Sequence, residues 1–190
     1  AHAACYAMIA YQTAYLKANF QVEFMTAVLT AESRANTGPA RDEKIGAIVS
    51  ECRRMGLVLL PPDINRSAVE FAIETPSGDS GQAIRFGLSA IKNVGTSAIE
   101  SIIAARTSSA FTSLSDVNNK VDVSKVNRKT FESLIKTGAL DSFGSRAAML
   151  SGLDERLQRA HKQKRAAVAG QAGLFDSIER TSSELGERLP

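Results

Sequence analysis

The segment Leu88–Thr96, which reads LSAIKNVGT, contains the pattern that decides the fold of this chain. Isoleucines at helical spacing, among them Ile99 and Ile102, follow it, so two short helices flank a turn made of one apolar residue and one glycine. We predict that Val94 fills the angle between the helices and that Gly95 lets the backbone turn tightly. The amides that follow would then be free to meet an anion at the start of the second helix, where the helix dipole favours negative charge.

A second segment, Phe131–Leu140, reads FESLIKTGAL and resembles the first. Its turn would be made by Gly138 and Ala139, and Lys136 takes the place that Lys92 has in the first copy. Two such turns in tandem, each preceded by a lysine, predict a pair of helix-hairpin-helix motifs that bind the backbone of duplex DNA. The DNA-binding residues predicted from the two copies are Lys92, Asn93, Val94, Gly95, Thr96, Ser97, Lys136, Thr137, Gly138 and Ala139.

A glycine turn between two helices also occurs without any ligand, so two ordinary helical hairpins are the alternative interpretation. Neither copy has the fuller Gly-apolar-Gly form. Asn93 replaces the first glycine in one copy, and Leu140 and Asp141 follow the turn in the other. The sequence leaves both interpretations open.

The first third of the chain has helical periodicity. Mostly apolar residues recur in steps of three and four from Tyr6 to Phe20, which places them on one face of a long helix. A similar pattern runs over Ile45–Met55, and Gly56 is placed to end that helix in a left-handed cap. Cys5 and Cys52 each lie on the apolar side of a predicted helix, and we interpret both as buried, reduced thiols.

One pair of strands is predicted between the helical regions. Apolar residues alternate with polar ones over Val69–Ile73 and again over Ile84–Leu88, with the loop sequence Pro76–Gly81 between them. We therefore predict a mainly α fold with a small β-hairpin. The predicted division is a helical part at 1–65, the β-hairpin with the tandem helix-hairpin-helix domain at 66–160, and a peptide with a flexible, disordered C-terminal tail at 161–190.

The composition and the carboxylate pattern argue against several classes of function. The 190 residues include 23 basic and 20 acidic side chains, and the resulting charge of +3 is too weak alone to indicate nucleic acid. No apolar run of about 20 residues exists, and the start of the chain does not have the pattern of a signal peptide, so we expect no membrane partner and a cytoplasmic location. The carboxylates are scattered, without an Asp-x-Asp pair, so we predict no catalytic residue, no metal ligand and no cofactor here.

A short motif near the end of the chain, QAGLF, contains Gln171, Leu174 and Phe175. A glutamine followed by a Leu-Phe pair suits an extended peptide that docks into a partner's pocket. The apolar pair supplies buried anchors, and the amide can form hydrogen bonds at the rim. In the alternative interpretation, Leu174 and Phe175 cover the core of the preceding domain.

Several segments together resemble one protein family. The first, Ala1–Phe24, reads AHAACYAMIAYQTAYLKANFQVEF, and the next are ECRRMG at Glu51–Gly56 and LPPDIN at Leu60–Asn65. With the two glycine turns described above, they are similar to the α subunits of bacterial DNA polymerase III, the family C replicative polymerases, over residues 1–176. Two departures are Gln21, where proline is usual in the family, and a longer loop at Arg34–Asp42.

This resemblance implies a division of labour within a larger polypeptide. The chain would span the end of the polymerase fingers, the tandem helix-hairpin-helix region and the internal peptide for the β sliding clamp, Gln171 to Phe175. It would bind primer-template duplex and the clamp, alongside other replisome subunits. DNA-directed synthesis by nucleotidyl transfer would use aspartates and Mg²⁺ in the palm domain, outside this segment. His2 would lie near the incoming nucleotide, or is a helix-start histidine without a ligand.

Two other functions stay open from the sequence alone. A stand-alone helix-hairpin-helix adaptor would join proteins without touching DNA and without polymerase activity. An independent nuclease would use isolated carboxylates with magnesium. Retention on duplex DNA separates DNA binding from the adaptor, and incubation with labelled DNA and magnesium tests the nuclease.

Overall fold

The structure, a computed structural model, describes residues 2–35, 38–76, 81–122 and 124–168. The peptide with Gln171, Leu174 and Phe175 and the predicted tail lie outside the described residues. His2 lies within a helix, but its side chain is also outside what is described.

Three long helices make up the first part of the chain: α1 at His2–Asn19, α2 at Gln21–Ala35 and α3 at Pro39–Arg54. Proline suits the first turn of α3, because the amide that it lacks has no partner there in any helix. At the other end Gly56 has φ 76°, and the amide of Leu57 donates to the carbonyl of Cys52 at 2.9 Å. The predicted left-handed cap at Gly56 is therefore confirmed.

A small sheet of three strands follows: β1 at Val58–Leu60, β2 at Ala72–Glu74 and β3 at Ala83–Arg85, in the order β1-β3-β2. β2 and β3 pair antiparallel with Ile73 opposite Ile84, which confirms the predicted hairpin. β1 adds a parallel strand on the other side of β3. Pro61 and Pro62 follow β1 directly, and proline cannot continue a hydrogen-bonded ladder.

Four short helices and one longer helix make up the described part that follows. They are α4 at Thr96–Arg106, α5 at Leu114–Lys120, α6 at Arg128–Lys136, α7 at Arg146–Ser151 and the longer α8 at Leu153–Val168. Single 3₁₀ turns at Leu88–Ala90 and Asp141–Phe143 stand before α4 and α7. The predicted fold class, mainly α with a small β element, is confirmed.

The buried side chains form two clusters. The first joins α2 and α3 to the sheet and contains Met25, Leu29, Ile45, Cys52, Phe71 and Ile84. The second lies among α4 to α8 and includes Ile64, Leu88, Ile102, Phe131 and Leu134. The sheet thus packs with α2 and α3, while Ile64 already belongs to the second cluster. The division of the chain near residue 65 stays a prediction.

Arg106 of α4 forms polar contacts with the irregular segment that follows β1. Its guanidinium donates from Nη1 to the carbonyl of Ile64 and from Nη2 to that of Ser67, both at 2.7 Å. Partial burial lowers the pKa of Arg106 from its ordinary value. These bonds satisfy buried carbonyls of an irregular segment that has no ladder of its own.

Helix α1 is exposed along its length. From Ala3 to Asn19 every residue except Lys17 is exposed, and Tyr11 retains 67% of its surface. The prediction of a buried thiol is therefore wrong for Cys5 and confirmed for Cys52. The helical period was correct, but a period shows which side chains share a face, and it does not show that a partner covers that face.

A carboxylate of α3 holds the end of α1. Lys17 Nζ lies 2.9 Å from Glu51 Oε1, and Arg54 Nε lies 2.7 Å from Glu51 Oε2. The hydrogen bonds from Arg54 and then from Lys17 lower the pKa of Glu51 to about 2. Glu51 therefore stays ionised at any pH near neutrality.

The most buried ion pair lies in the sheet, between Arg85 of β3 and Glu74 of β2. Arg85 is only 7% exposed, with Nε 2.7 Å from Glu74 Oε2 and Nη2 2.9 Å from Oε1. Nη1 donates to the carbonyl of Pro61 at 2.8 Å, and Arg66 also pairs with Glu74. The hydrogen bonds from Arg85 hold the pKa of Glu74 below its ordinary value.

Replacing Glu74 by glutamine should destabilise the fold by about 3 kcal/mol, because a buried guanidinium would lose its counter-charge. The matched control is Glu70→Gln, since Glu70 pairs with the exposed Arg34 and the loss of a surface pair costs roughly 0.5 kcal/mol. Urea unfolding at neutral pH measures both free energies.

The pH dependence gives a second readout of the same pair. Because the folded-state pKa of Glu74 is depressed, its contribution is present above the unfolded-state pKa and is lost as the pH falls through the folded-state pKa. The difference in the free energy of unfolding between wild type and Glu74→Gln should therefore become smaller as the pH falls. Equal losses for the Glu74 and Glu70 variants would contradict a structural role for the Arg85 pair.

Candidate nucleic-acid interface

The first glycine turn is tight at Asn93 rather than at Gly95. Asn93 has φ 64°, whereas Gly95 is extended, with φ −80° and ψ 163°, and directly precedes α4. Asparagine tolerates the left-handed region better than most residues, which explains how it replaces the first glycine of the fuller motif. The predicted role of Gly95 in tightening the turn is wrong. Val94 is buried in the second cluster, as its predicted packing role requires.

Gly95 instead leaves the start of α4 open. Gly95, Thr96 and Ser97 are exposed, and their amides have no acceptor among the described residues. The first amide of this helix with an acceptor is that of Ala98, which donates to the carbonyl of Gly95 at 3.0 Å. A Cβ on Gly95 would meet no atom within 4 Å, so the approach to these amides is clear. Three exposed donors at a helix N-terminus suit an anion.

The turn at Gly138 has a different structure. Its φ is +85°, its amide donates to the carbonyl of Ile135, and the amide of Ala139 donates to that of Leu134, both at 3.0 Å. Gly138 and Ala139 are buried. This turn therefore closes the C-terminus of α6, and the free amides expected there are absent, because the cap itself uses them.

An ion pair covers the same turn. Arg146 Nε lies 2.7 Å from Asp141 Oδ1, and the hydrogen bond from Arg146 lowers the pKa of Asp141. A Cβ on Gly138 would lie 2.8 Å from Asp141 Oδ2. Lys136 and Thr137 are exposed, but Lys136 pairs with Glu132 of its own helix at 2.5 Å. DNA binding by Lys136, Thr137, Gly138 and Ala139 stays a prediction without support from this geometry.

The structure places a second hairpin before α6, in the connection from α5. Val126 is buried there, and the Asn127 side chain caps α6 by accepting from the amide of Thr130 at 3.0 Å. The buried pattern after the first turn recurs at the same spacing after the second. In the first copy the pattern consists of Val94, Ala98, Ile99 and Ile102. The corresponding residues of the second copy are Val126, Thr130, Phe131 and Leu134. All eight side chains are buried.

Sequence reasoning missed this hairpin because it searched for glycine. Asn127 stands where the first copy has Gly95, and asparagine is among the residues preferred at a helix N-cap. The signal that was available is a valine followed by an N-cap residue and then buried positions four, five and eight residues after the valine.

The two hairpins are bonded to each other. Thr130 Oγ1 of α6 donates to the carbonyl of Asn93 at 3.0 Å, and Asn93 Nδ2 donates to Ser133 Oγ at 3.1 Å. Thr130 is buried. The left-handed residue of the first turn is thus held from both its backbone and its side chain by the second hairpin.

A groove of about 530 Å³ runs along this contact. It is lined by Gly38, Arg41, Asp42, Ile91, Lys92, Asn93, Val94, Gly95, Asn127 and Lys129. Lys92 and Lys129 are exposed and have no carboxylate partner within the described parts of the chain. Three cations and one carboxylate therefore surround the start of α4, which gives the groove an excess of positive charge.

A sequence profile described as the helix-hairpin-helix motif matches residues 56–150. The chain belongs to the helix-hairpin-helix family. The match includes both hairpins, α4 to α6 and the sheet, whereas α1, α2 and α3 precede it.

Relatives of this helix-hairpin-helix chain include proteins named DNA polymerase III subunit alpha. The relative from Thermus aquaticus is 39% identical over 179 residues, which cover 94% of this chain and 14% of the relative. Those from Vibrio cholerae and Escherichia coli are 40% and 42% identical over 98% and 97% of this chain and 15% of each relative. The chain spans about 15% of the length of these relatives.

The described residues offer no group of three His, Cys, Asp or Glu side chains that could hold a metal ion. In the same ranges, no helix combines the length and apolarity needed to cross a bilayer.

Replacing Asn93 by alanine should destabilise the helix-hairpin-helix core by about 2 kcal/mol, since alanine tolerates φ 64° poorly and loses the bond to Ser133. The free energy of unfolding of Asn93→Gly should be closer to that of wild type, because glycine accepts this backbone conformation. Chemical denaturation measures the two free energies. Asn119→Ala, at an exposed helical asparagine, is the control and should show no loss. Equal destabilisation by alanine and glycine at position 93 would show that backbone strain is irrelevant there.

Proposed function

We propose that this chain binds the phosphate backbone of duplex DNA through its first hairpin and the adjoining start of α6. The observation that carries the proposal is the group of three exposed amides at Gly95, Thr96 and Ser97, which have no acceptor among the described residues. The first of them, at Gly95, belongs to a residue that lines a groove with excess positive charge. Lys92, Asn93 and Val94 form the turn that leads to these amides, and Lys129 of α6 lines the same groove.

Such a site recognises phosphate rather than sequence. Backbone amides and the partial positive charge of a helix N-terminus bind phosphate oxygens, which are the same at every base pair. Lysines beside them displace condensed counterions from DNA, so binding should weaken as salt concentration rises. The groove therefore suits a holding function that operates at any position along the duplex.

The wider function is proposed from the relatives. We propose that the chain is a segment of a bacterial DNA polymerase III α subunit, in which DNA-directed 5′–3′ synthesis is a nucleotidyl transfer carried out by carboxylates and Mg²⁺ of the palm domain, outside this chain. The segment would hold primer-template duplex in a cytoplasmic replisome. No catalytic residue is assigned to it, and a place for His2 near the incoming nucleotide stays a prediction.

The peptide with Gln171, Leu174 and Phe175 is proposed as a contact for the β sliding clamp. Support comes from its sequence, in which an apolar pair follows a glutamine within polar surroundings. Two weak contacts on one chain, one to DNA and one to the clamp, raise the effective concentration of each partner. Such linkage would prolong the residence of the polymerase on DNA.

A protein adaptor is the second candidate, and one observation favours it. Apolar side chains of α1, among them Tyr6, Ile9 and Tyr11, are exposed on one helix. Surfaces of this kind commonly contact protein. Retention of the chain on a duplex-DNA column at moderate salt separates the candidates, because an adaptor would pass through.

Replacing Lys92 by glutamine should weaken duplex binding about five- to tenfold at 0.1 M salt, because one phosphate contact is lost. The slope of log K against log salt should become shallower by about 0.9, equally for unrelated DNA sequences. Fluorescence anisotropy with labelled duplexes measures both. The control is Lys162→Gln, an equal charge change on an exposed residue of α8, which should leave the slope unchanged.

Gly95→Ala tests the amides independently of charge. A Cβ would meet no surrounding atom within 4 Å at this position, so stability should be unchanged. The added methyl group, next to the first of the three amides, should hinder the close approach of a phosphate. We expect severalfold weaker binding with an unaltered melting temperature. Wild-type affinity in both the Lys92 and Gly95 variants would show that the hairpin has only a structural role.

Replacing Leu174 and Phe175 together by alanine should abolish binding to the sliding clamp, because the two anchors of the peptide would be removed. Surface plasmon resonance with immobilised clamp measures the loss, while DNA affinity should stay at the wild-type value. Ser182→Ala with Ser183→Ala, in the same part of the chain, is the matched control. Undiminished clamp binding by the Leu174 and Phe175 variant would rule the peptide out.

A further inference from the structure

One wall of the groove comes from outside the segment that matches the helix-hairpin-helix family. Gly38, Arg41 and Asp42 line the groove, and all three precede residue 56, where the match begins. Arg41 and Asp42 lie in the first turn of α3, which begins at Pro39. The groove is therefore a composite of the hairpins and a helix that packs with the sheet.

We infer that Arg41 is a further phosphate-binding residue, which holds a DNA backbone phosphate next to the one at the Gly95 amides. The inference rests on the proposed binding of duplex DNA. It adds a cation to the site that neither the hairpin pattern nor the family match contains.

The guanidinium of Arg41 is held at the groove. Nη1 donates to the carbonyl of Ser89 at 3.4 Å, and Nε and Nη2 lie 3.3 Å from Asp42 Oδ1. Its side chain is 15% exposed, so it has little freedom to swing away. Because a guanidinium has five N–H donors, these three bonds leave donors on both terminal nitrogens for a further acceptor.

The contact with Ser89 aligns Arg41 with the hairpin. Ser89 belongs to the 3₁₀ turn before the first hairpin, and its own amide donates to the carbonyl of Val69 at 2.9 Å. The contact with Ser89 places the guanidinium of Arg41 beside the turn that leads into the first hairpin. A planar, fixed donor group loses less conformational freedom on binding phosphate than a free lysine does.

Neutralising Asp42 should change DNA affinity in the opposite direction from neutralising Arg41. Its carboxylate is 43% exposed, lines the same groove and pairs with Arg41. A phosphate in the groove would be repelled by this carboxylate and attracted by Arg41. Removing the charge of Asp42 should therefore tighten DNA binding, whereas removing the charge of Arg41 should weaken it.

The test compares four variants of the 190-residue chain by duplex-DNA anisotropy across a salt series: Arg41→Gln, Asp42→Asn, Arg53→Gln and Lys92→Gln. Arg53 is exposed and lies about 18 Å further along α3, so its variant is matched in charge, residue type and helix. Thermal melting by circular dichroism checks that each variant is folded at the binding temperature.

We expect Arg41→Gln to weaken binding about fivefold and to reduce the salt slope by about 0.9, as the loss of one phosphate contact requires. Asp42→Asn should tighten binding about threefold, and Arg53→Gln should match wild type. If Arg41→Gln behaves like Arg53→Gln, the inference is overturned while the proposed function stands. Should Arg41→Gln unfold, a fifth variant that carries both Arg41→Gln and Asp42→Asn decides, because affinity and salt slope equal to those of Asp42→Asn alone overturn the inference.

The failure of the proposed function has a different signature. In that case wild type would not bind duplex DNA, or Lys92→Gln would keep the full affinity and slope, and the role of Arg41 would fail with it. If DNA affinity falls in Lys92→Gln and not in Arg41→Gln, the first hairpin binds DNA and only the role of Arg41 is excluded.

Discussion

The groove depends on the two hydrogen bonds between Asn93 and helix α6. Asn93 occupies a left-handed conformation that costs free energy for any residue with a side chain, and Thr130 and Ser133 compensate by bonding its carbonyl and its amide group. Thr130 is buried, and its hydroxyl lies closer to the carbonyl of Asn93, at 3.0 Å, than to Asn127 Oδ1, at 3.3 Å. The first turn therefore keeps its shape only when the second hairpin is in place, so the two motifs act as one unit.

The polar bonds of the irregular segments extend this unit to the sheet. Arg106 ties α4 to the carbonyls of Ile64 and Ser67, and the amide of Ile64 donates to the carbonyl of Ala139 at 2.9 Å. Arg85 and Glu74 fix β2 against β3, and the sheet packs on α2 and α3. A continuous series of buried contacts thus connects α3 to the hairpins, which explains how a residue of α3 can line a groove of the helix-hairpin-helix part.

The sequence was sufficient for the main helices, for β2 and β3 and for the position of the first turn, but not for the conformation of that turn. Periodicity predicted the long helices, alternation predicted β2 and β3, and the valine-glycine pair located the first hairpin. The second hairpin was assigned to Gly138 because a glycine after a helix looks the same whether it caps a C-terminus or leads into the next helix. Asn127 does the work of an N-cap without a glycine, and only the repeated buried pattern after Val126 reveals it.

Exposure was the property that sequence predicted least well. Cys5 and its neighbours on α1 have a helical period, yet packing partners are a property of the tertiary structure and leave no local signal. The same helix carries all three tyrosines, Tyr6, Tyr11 and Tyr15, in a chain without tryptophan. The intrinsic tyrosine emission of this chain therefore originates from α1 alone. A molecule that covers α1 would alter that emission directly, whereas one seated at Gly95 would have no emitting ring beside it, so the two surfaces can be followed separately without any label.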